Sequence, residues 1–293
     1  MKLGLVLEGG GMRGLYTDGV LDCLMDRGVT VDDVIGVSAG ACGGVSYVSG
    51  QRGRSHRINT AYLRDKRYVG FSSFLKTGSV FGMDFLFDEV ANRLDPLDYQ
   101  ALADAPMEFV TGVTDVSTGQ PAYFDKSVYT RGGCQVLRAS CAIPLFSPVV
   151  EWEGGRYLDG GVSDPIPLKK ALADGCDQLI VVLTRHRGYR KKPEGLQAAY
   201  RWAFRKDPAM AQAIARRPQV YNDTLDLLWK LEREHRALVI APSHPVTVGR
   251  FEKSLQKLEA LYKEGMLDAQ IALTRLASWP GQGPEPDAPS EPL

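Results

Sequence analysis

"VIGVSAGACGG", residues 34–44, decides how this chain folds. An apolar run ends at Ser38, which stands in the centre of Gly36-Val37-Ser38-Ala39-Gly40, and a stretch of small residues follows. The spacing predicts a buried strand over 31–38 and a helix from 39 to about 50. A serine at such a turn has two readings. It caps the helix with its hydroxyl, or it is a nucleophile pushed outward at the tip of a G-x-S-x-G elbow, where the helix N-terminus favours developing negative charge.

Upstream, "KLGLVLE" (2–8) reads as a buried strand closed by glycines, and 12–28 as a helix that Gly28 stops. Strand, helix, strand and helix within fifty residues predict a parallel sheet with right-handed crossovers. Downstream, 54–104 reads as mainly helical with a break near 70–82. Segments 107–116 and 120–125 read as paired strands, 134–143 as a helix stopped by Pro144, and 149–161 as a hairpin across Gly154-Gly155. A helix over 167–175 and a buried strand over 176–184 follow. Beyond Thr184 the patterns are helical at 208–235 and from about 250 to 278, with one strand, "RALVIAP" (236–242), between them. The Pro-, Gly- and Ser-rich end, 280–293, is expected to be disordered.

With 293 residues the chain can bury a sizeable core, and 44% hydrophobic with 24% charged residues is the balance of a globular protein. Net charge is zero, which excludes a global pull toward nucleic acid or anionic lipid. Five scattered cysteines (23, 42, 134, 141 and 176) without C-x-x-C spacing argue against a disulfide framework or a zinc knuckle. The apolar start is too short for a signal peptide, and no run approaches a membrane span, so a cytoplasmic location is expected, with contact at a membrane surface left open. One segment departs from neutrality: 185–217 holds ten Lys or Arg against Glu194 and Asp207, a local net of +8. Within it "YRWAFRK" (200–206) mixes aromatic and cationic residues, a pattern that suits a lipid surface or a lid, or is simply a solvated face.

The loop "EGGGMRG" (8–14) opens the first helix, and its glycines leave backbone N–H groups uncovered for a phosphate or an oxyanion. Gly9, Gly11 and Gly14 also satisfy the G-x-G-x-x-G of dinucleotide sites. That alternative needs an acidic residue at the end of the next strand, whereas Asp32 and Asp33 stand at its beginning. A nucleophilic serine needs a base. The four histidines, His56, His186, His235 and His244, are poorly placed; His186, just past the 176–184 strand, is the best of them. The carboxylate alternative is Asp159 in "YLDGG", which also reads as an ordinary tight turn. The phenylalanines 71, 74, 81, 85 and 87 are candidates for an acyl pocket or for plain core.

Taken in order, Gly9-Gly10-Gly11-Met12-Arg13-Gly14, the Gly36–Gly40 elbow, Ala139-Ser140-Cys141-Ala142-Ile143-Pro144 and Asp159-Gly160-Gly161 resemble the patatin-like phospholipases over about residues 3–184. The change of texture after Thr184 looks like a bacterial subgroup with a helical C-terminal extension, dividing the chain into 3–184, 185–279 and the tail 280–293. The resemblance implies an α/β fold, a three-layer α/β/α sandwich around a mostly parallel sheet. It implies a Ser38–Asp159 dyad with no histidine, an oxyanion loop of Gly9, Gly10, Gly11 and Met12 with Arg13 beside it, and an acyl-Ser38 intermediate. No cofactor and no metal is implied, and the partner is a lipid or other acyl ester: phospholipid, lysophospholipid or neutral glyceride. Peripheral membrane contact through 185–217 is a further expectation. An acyltransferase using the same dyad, or a catalytically weak lipid-binding regulatory protein, are the alternatives.

Overall fold

Strands β1 (Leu3–Leu7), β2 (Asp33–Val37) and β7 (Gln178–Val182) are buried at every position, the signature of strands covered on both faces. The structure, a computed structural model, describes residues 1–70, 73–75, 78–130, 133–193 and 195–276. Phe71 and the tail 280–293 lie outside the described residues. The sheet runs β5 (Val150–Trp152), β6 (Gly155–Asp159), β3 (Glu108–Asp115), β2, β1, β7, β8 (Ala237–Ile240), with β4 (Pro121–Asp125) also paired to β3. The five strands β3, β2, β1, β7 and β8 are mutually parallel, and β4, β5 and β6 are antiparallel additions at one side.

Period-two alternation divides the core into two layers. Leu5, Leu7, Val34, Ile180 and Val182 face one apolar cluster, while Val6, Ile35, Leu179, Val181 and Val239 face the other. The first cluster is closed by α1 (Gly14–Asp26), α2 (Ala39–Val48) and α9 (Leu255–Leu276) through residues such as Leu15, Val45 and Leu258. The second is closed by α6 (Leu168–Ala173) and α8 (Pro208–Arg233) through Leu168, Leu225 and Leu228. This is the three-layer α/β/α sandwich expected from the sequence. Between these lie α3 (Arg54–Ala61), a wide π-type helix at Phe85–Leu94, α4 (Tyr99–Asp104), α5 (Gln135–Ser140) and α7 (Gln197–Ala203).

One register sets up the site. Gly112 of β3 pairs with both Val37 of β2 and Tyr123 of β4, while Val113 pairs with both Ala122 of β4 and Asp159 of β6. So β4 occupies one edge of β3, and β2 and β6 share the other, end to end. β2 runs parallel to β3 and β6 antiparallel, so their carboxyl ends meet at Gly112–Val113. Residues 38 and 159 are thereby brought together by backbone pairing.

The C-terminal region is woven into this body. Strand β8 extends the sheet beside β7, and α9 packs along α1 so closely that an added Cβ on Gly19 would lie 2.0 Å from the Tyr262 carbonyl. Helix α8 continues through Pro218, whose ring is buried. Within the amphipathic stretch 200–206, Tyr200 and Phe204 turn inward, 6% and 7% exposed, while Trp202, at 72%, and the cationic residues Arg201, Arg205 and Lys206 stay exposed. No helix among the described residues is long and apolar enough to cross a membrane.

Candidate active site

Ser38 is the hinge between β2 and α2, with φ 53° and ψ −126°, a conformation that costs a non-glycine residue about 1–3 kcal/mol. The flanking glycines are needed for contact. A Cβ on Gly36 would lie 2.7 Å from the Ala41 nitrogen, and one on Gly40 would lie 2.5 Å from the Leu7 carbonyl oxygen. The serine makes no side-chain cap on α2. Instead its hydroxyl donates to Asp159 Oδ2 at 2.9 Å, between two side chains that are almost fully buried. Asp159 also does what an Asp-Gly-Gly turn requires, since its Oδ1 accepts the Gly161 N–H at 2.8 Å. One carboxylate thus fixes its own loop with one oxygen and holds the serine with the other. Burial raises the Asp159 carboxyl above its ordinary range; Arg217, the Ser38 hydroxyl, the Gly161 N–H and Arg250 oppose that rise.

The strained elbow has a tether. The Ser38 N–H donates to Ser140 Oγ at 2.7 Å, and the Ser140 hydroxyl donates to the Gly112 carbonyl at 2.7 Å. Ser140 belongs to the A-S-x-x-x-P stretch, which carries no role in the sequence taken alone.

The glycine loop lies beside Ser38: a Cβ on Gly9 would lie 3.3 Å from the Ser38 Cβ. Not all of its donors are available. The Gly9 N–H goes to the Pro165 carbonyl at 3.3 Å, and the Met12 N–H goes to the Arg250 carbonyl at 3.1 Å. Of the expected oxyanion residues, Gly10 and Gly11 are left with N–H groups that have no partner among the described residues. Gly11 takes φ 58° and passes so close to Arg250 that a Cβ would lie 2.8 Å from its carbonyl oxygen. Arg13 is buried, its Nε has no hydrogen-bond partner among the described residues, and desolvation, with Arg185 nearby, lowers it to about 10. Glu8 anchors the loop from behind, accepting the Thr184 N–H at 2.5 Å and the Tyr221 hydroxyl of α8 at 2.8 Å.

Two cavities meet at Ser38. The larger encloses about 860 Å³, part of it open to solvent, and is walled by apolar side chains such as Val45, Ile58, Met83, Phe87 and Leu137. The smaller, about 380 Å³, is lined by the glycine loop, Asp159, Arg13, Arg217 and Arg250. Ser38, Gly11 and Ile143 belong to both walls. Phe81 and Phe87 line the larger cavity, Phe85 is core and stacks edge-on against Tyr62, and Phe74 is exposed. Residues 197–206 line neither cavity.

Residues 5–172 match the family model described as patatin-like phospholipase. The chain belongs to that family. As a patatin-like phospholipase it is a lipid ester hydrolase. Residues 207–281 match a second model, described as a domain of unknown function, DUF6363. The chain is 28% identical over 272 residues to the uncharacterized protein YjjU of Escherichia coli K12, covering 91% of this chain and 75% of that one. It is 28% identical over 192 residues to lysophospholipase nte1 of Aspergillus terreus, and 26% over 187 residues to lysophospholipase NTE1 of Candida glabrata. These cover 62% and 61% of this chain, which spans only 12% and 10% of the two fungal proteins. Among solved structures, VipD from Legionella pneumophila aligns with TM-score 0.49 and 15% identity over 94% of this chain and 67% of that one.

In this patatin-like phospholipase no histidine lines either cavity at Ser38. His56 is 3.0 Å from Glu259, and His186 packs edge-on against Tyr189. Among the described residues no three His, Cys, Asp or Glu side chains converge as a metal site needs. The residues the sequence did not single out are Ser140 as tether and Arg217 and Arg250 as cavity lining. Arginines 217 and 250 lie in a helix and a loop with no local pattern pointing to a site; Ser140 was visible only as part of a motif.

Proposed function

We propose that Ser38 and Asp159 hydrolyse acyl ester bonds of lipids by way of an acyl-serine. The observation that carries this is the 2.9 Å bond between the Ser38 hydroxyl and Asp159 Oδ2, made where an apolar cavity opens. In the first half-reaction Asp159 takes the Ser38 proton as Oγ bonds to the ester carbonyl carbon. The carbonyl oxygen becomes an oxyanion beside the Gly10 and Gly11 N–H groups, whose fixed dipoles stabilise it. Collapse breaks the bond to the alkoxy oxygen, which leaves as the alcohol with the proton from Asp159. In the second half-reaction water adds to acyl-Ser38, gives its proton to Asp159, and the fatty acid leaves as Ser38 recovers that proton. The apolar cavity takes the acyl chain, each buried methylene contributing about 0.8 kcal/mol.

The test is hydrolysis of p-nitrophenyl esters of rising chain length by wild type and the variants Ser38→Ala, Asp159→Asn and His186→Ala. The reading expects both dyad variants to be inactive and His186→Ala to keep its activity. An active Ser38→Ala enzyme would make the elbow only a turn. Transfer of the acyl group to an added alcohol, in preference to water, would move the reading to acyltransferase.

A further inference from the structure

We infer that Cys42 and Cys141 are a modification site: a hydroperoxide carried into the apolar cavity on an acyl chain joins their sulfurs as a disulfide and disables Ser38. The pairing rests on geometry alone; the acyl carrier and the loss of activity rest on the ester-hydrolase reading.

All five cysteines are free, and the sulfurs of Cys42 and Cys141 lie 3.5 Å apart although the residues are 99 positions apart in the chain. A disulfide needs about 2.0 Å between its sulfurs, so the two thiols are already in contact along the line the bond would take. Both are partly exposed, and both line the larger cavity, on whose wall Ser38 also lies. An oxidant in that cavity therefore reaches them. Cys134 shares the wall, but it is buried and its sulfur is 3.0 Å from the Tyr99 hydroxyl.

The pair brackets the elbow. Cys42 stands in the first turn of α2, and its N–H donates to the Ser38 carbonyl at 3.1 Å. Cys141 directly follows Ser140, whose hydroxyl takes the Ser38 N–H. A bond between the sulfurs draws the turn after the elbow toward the residue that tethers it, and so moves the nucleophile. It also reshapes the wall against which an acyl chain packs.

The bond to Cys42 and then burial push the Cys141 thiol well above its ordinary range, with the Ser38 hydroxyl opposing the rise. Cys141 thus keeps its hydrogen, and Cys42 is the sulfur that attacks first. Cys42 Sγ takes the terminal peroxide oxygen, the O–O bond breaks, and the products are a Cys42 sulfenic acid and the acyl-chain alcohol. Cys141 Sγ then attacks Cys42 Sγ. The S–S bond forms, and the sulfenic oxygen leaves as water with the Cys141 hydrogen. In sum two thiols and one hydroperoxide give a disulfide, an alcohol and water, with two electrons passing from sulfur to the peroxide.

The experiment treats the reduced full chain with linoleic acid hydroperoxide, with hydrogen peroxide, or with linoleic acid alone, and removes the reagent. Peptide mapping is expected to find a Cys42–Cys141 cross-link, formed faster by the lipid hydroperoxide than by hydrogen peroxide and absent with linoleic acid. Hydrolysis of a short-chain p-nitrophenyl ester is expected to fall roughly tenfold to a hundredfold, the effect of displacing a nucleophile by a fraction of an ångström to an ångström. Dithiothreitol is expected to restore it. Cys42→Ala and Cys141→Ala are each expected to keep, after the oxidant, the activity they had before it, while Cys134→Ala loses activity as wild type does.

A cross-link elsewhere, or none, overturns the pairing. Equal rates with hydrogen peroxide overturn the acyl route. An oxidised enzyme that stays active, or alanine variants at 42 and 141 that lose activity as wild type does, overturn the effect on Ser38. If the reduced chain hydrolyses no ester at all, the hydrolase reading fails, while the peptide map still decides whether the pair exists.

Discussion

The hydroxyl of Ser140 accepts the backbone N–H of Ser38 at 2.7 Å and donates its own hydrogen bond to the Gly112 carbonyl, tying the strained elbow to the strand where β2 and β6 meet. Ser140→Ala leaves a buried donor and a buried acceptor without that bridge, at a cost of about 1–3 kcal/mol of stability. Because the tether sets the direction of the nucleophile and not the shape of the acyl cavity, kcat is expected to fall roughly tenfold to a hundredfold with KM nearly unchanged. Thermal melting and steady-state kinetics on one short-chain ester check both halves; a loss confined to KM would contradict this role.

The pH profile should carry the signature of a buried aspartate. Burial raises Asp159, and Arg217 is the largest of the charges and hydrogen bonds that hold it down. As the proposed base Asp159 acts only when ionised, so activity is expected to fall as pH drops through its pKa, with the acid limb above the ordinary aspartate value of 3.8. Arg217→Gln removes a stabilising positive charge, so that limb is expected to move to higher pH. A limb that stays in place or moves down would show that Arg217 does not act on Asp159.

Much of this arrangement was legible in the residues, and the failures have physical causes. Continuous apolar runs and glycine placement predicted β1, β2, β7 and the hairpin ending at Asp159, because two-faced burial and tight turns are local constraints. The shared edge of β3 was not legible, since nothing local states that β6 continues where β2 stops. Helix α8 runs through Pro218 against the usual rule, its buried face on the sheet outweighing one lost hydrogen bond. In the stretch 200–206 Tyr200 and Phe204 go to the core while the cationic residues and Trp202 stay exposed, because its periodicity marks an apolar face without saying what covers it. Met12 was expected as an oxyanion donor, and its N–H is taken by a carbonyl 238 residues away along the chain in number, that of Arg250.

The acyl cavity gives a steric prediction. Ala91 lies on its wall with Phe87 and Leu97. Ala91→Phe fills space that a chain would occupy, so the preferred p-nitrophenyl ester is expected to become shorter, while activity on the acetate persists. A chain-length profile identical to wild type would place the acyl group elsewhere.

Asp18 predicts an effect on stability alone. It is buried on α1, receives Asn59 Nδ2 at 3.1 Å, and burial raises it to about 7. Its proton is held more tightly in the folded chain than in the unfolded one. The stability it contributes is therefore whole below its ordinary 3.8 and lost as pH rises through about 7. Asp18→Asn is expected to melt higher than wild type at pH 8, with the gap closing toward pH 4. A gap that grows on acidification would reverse the sign and contradict the assignment.

In the proposed chemistry Ser38 and Asp159 act as a pair without a histidine. The most direct measurement is intact-mass analysis of the protein mixed with a p-nitrophenyl ester and quenched during turnover, in wild type, Asp159→Asn and Ser38→Ala. One acyl adduct is expected on wild type, mapped to Ser38, with no adduct on Ser38→Ala and acylation slowed on the order of 10⁴-fold in Asp159→Asn. An adduct on another residue, or acylation of Asp159→Asn at the wild-type rate, would contradict it.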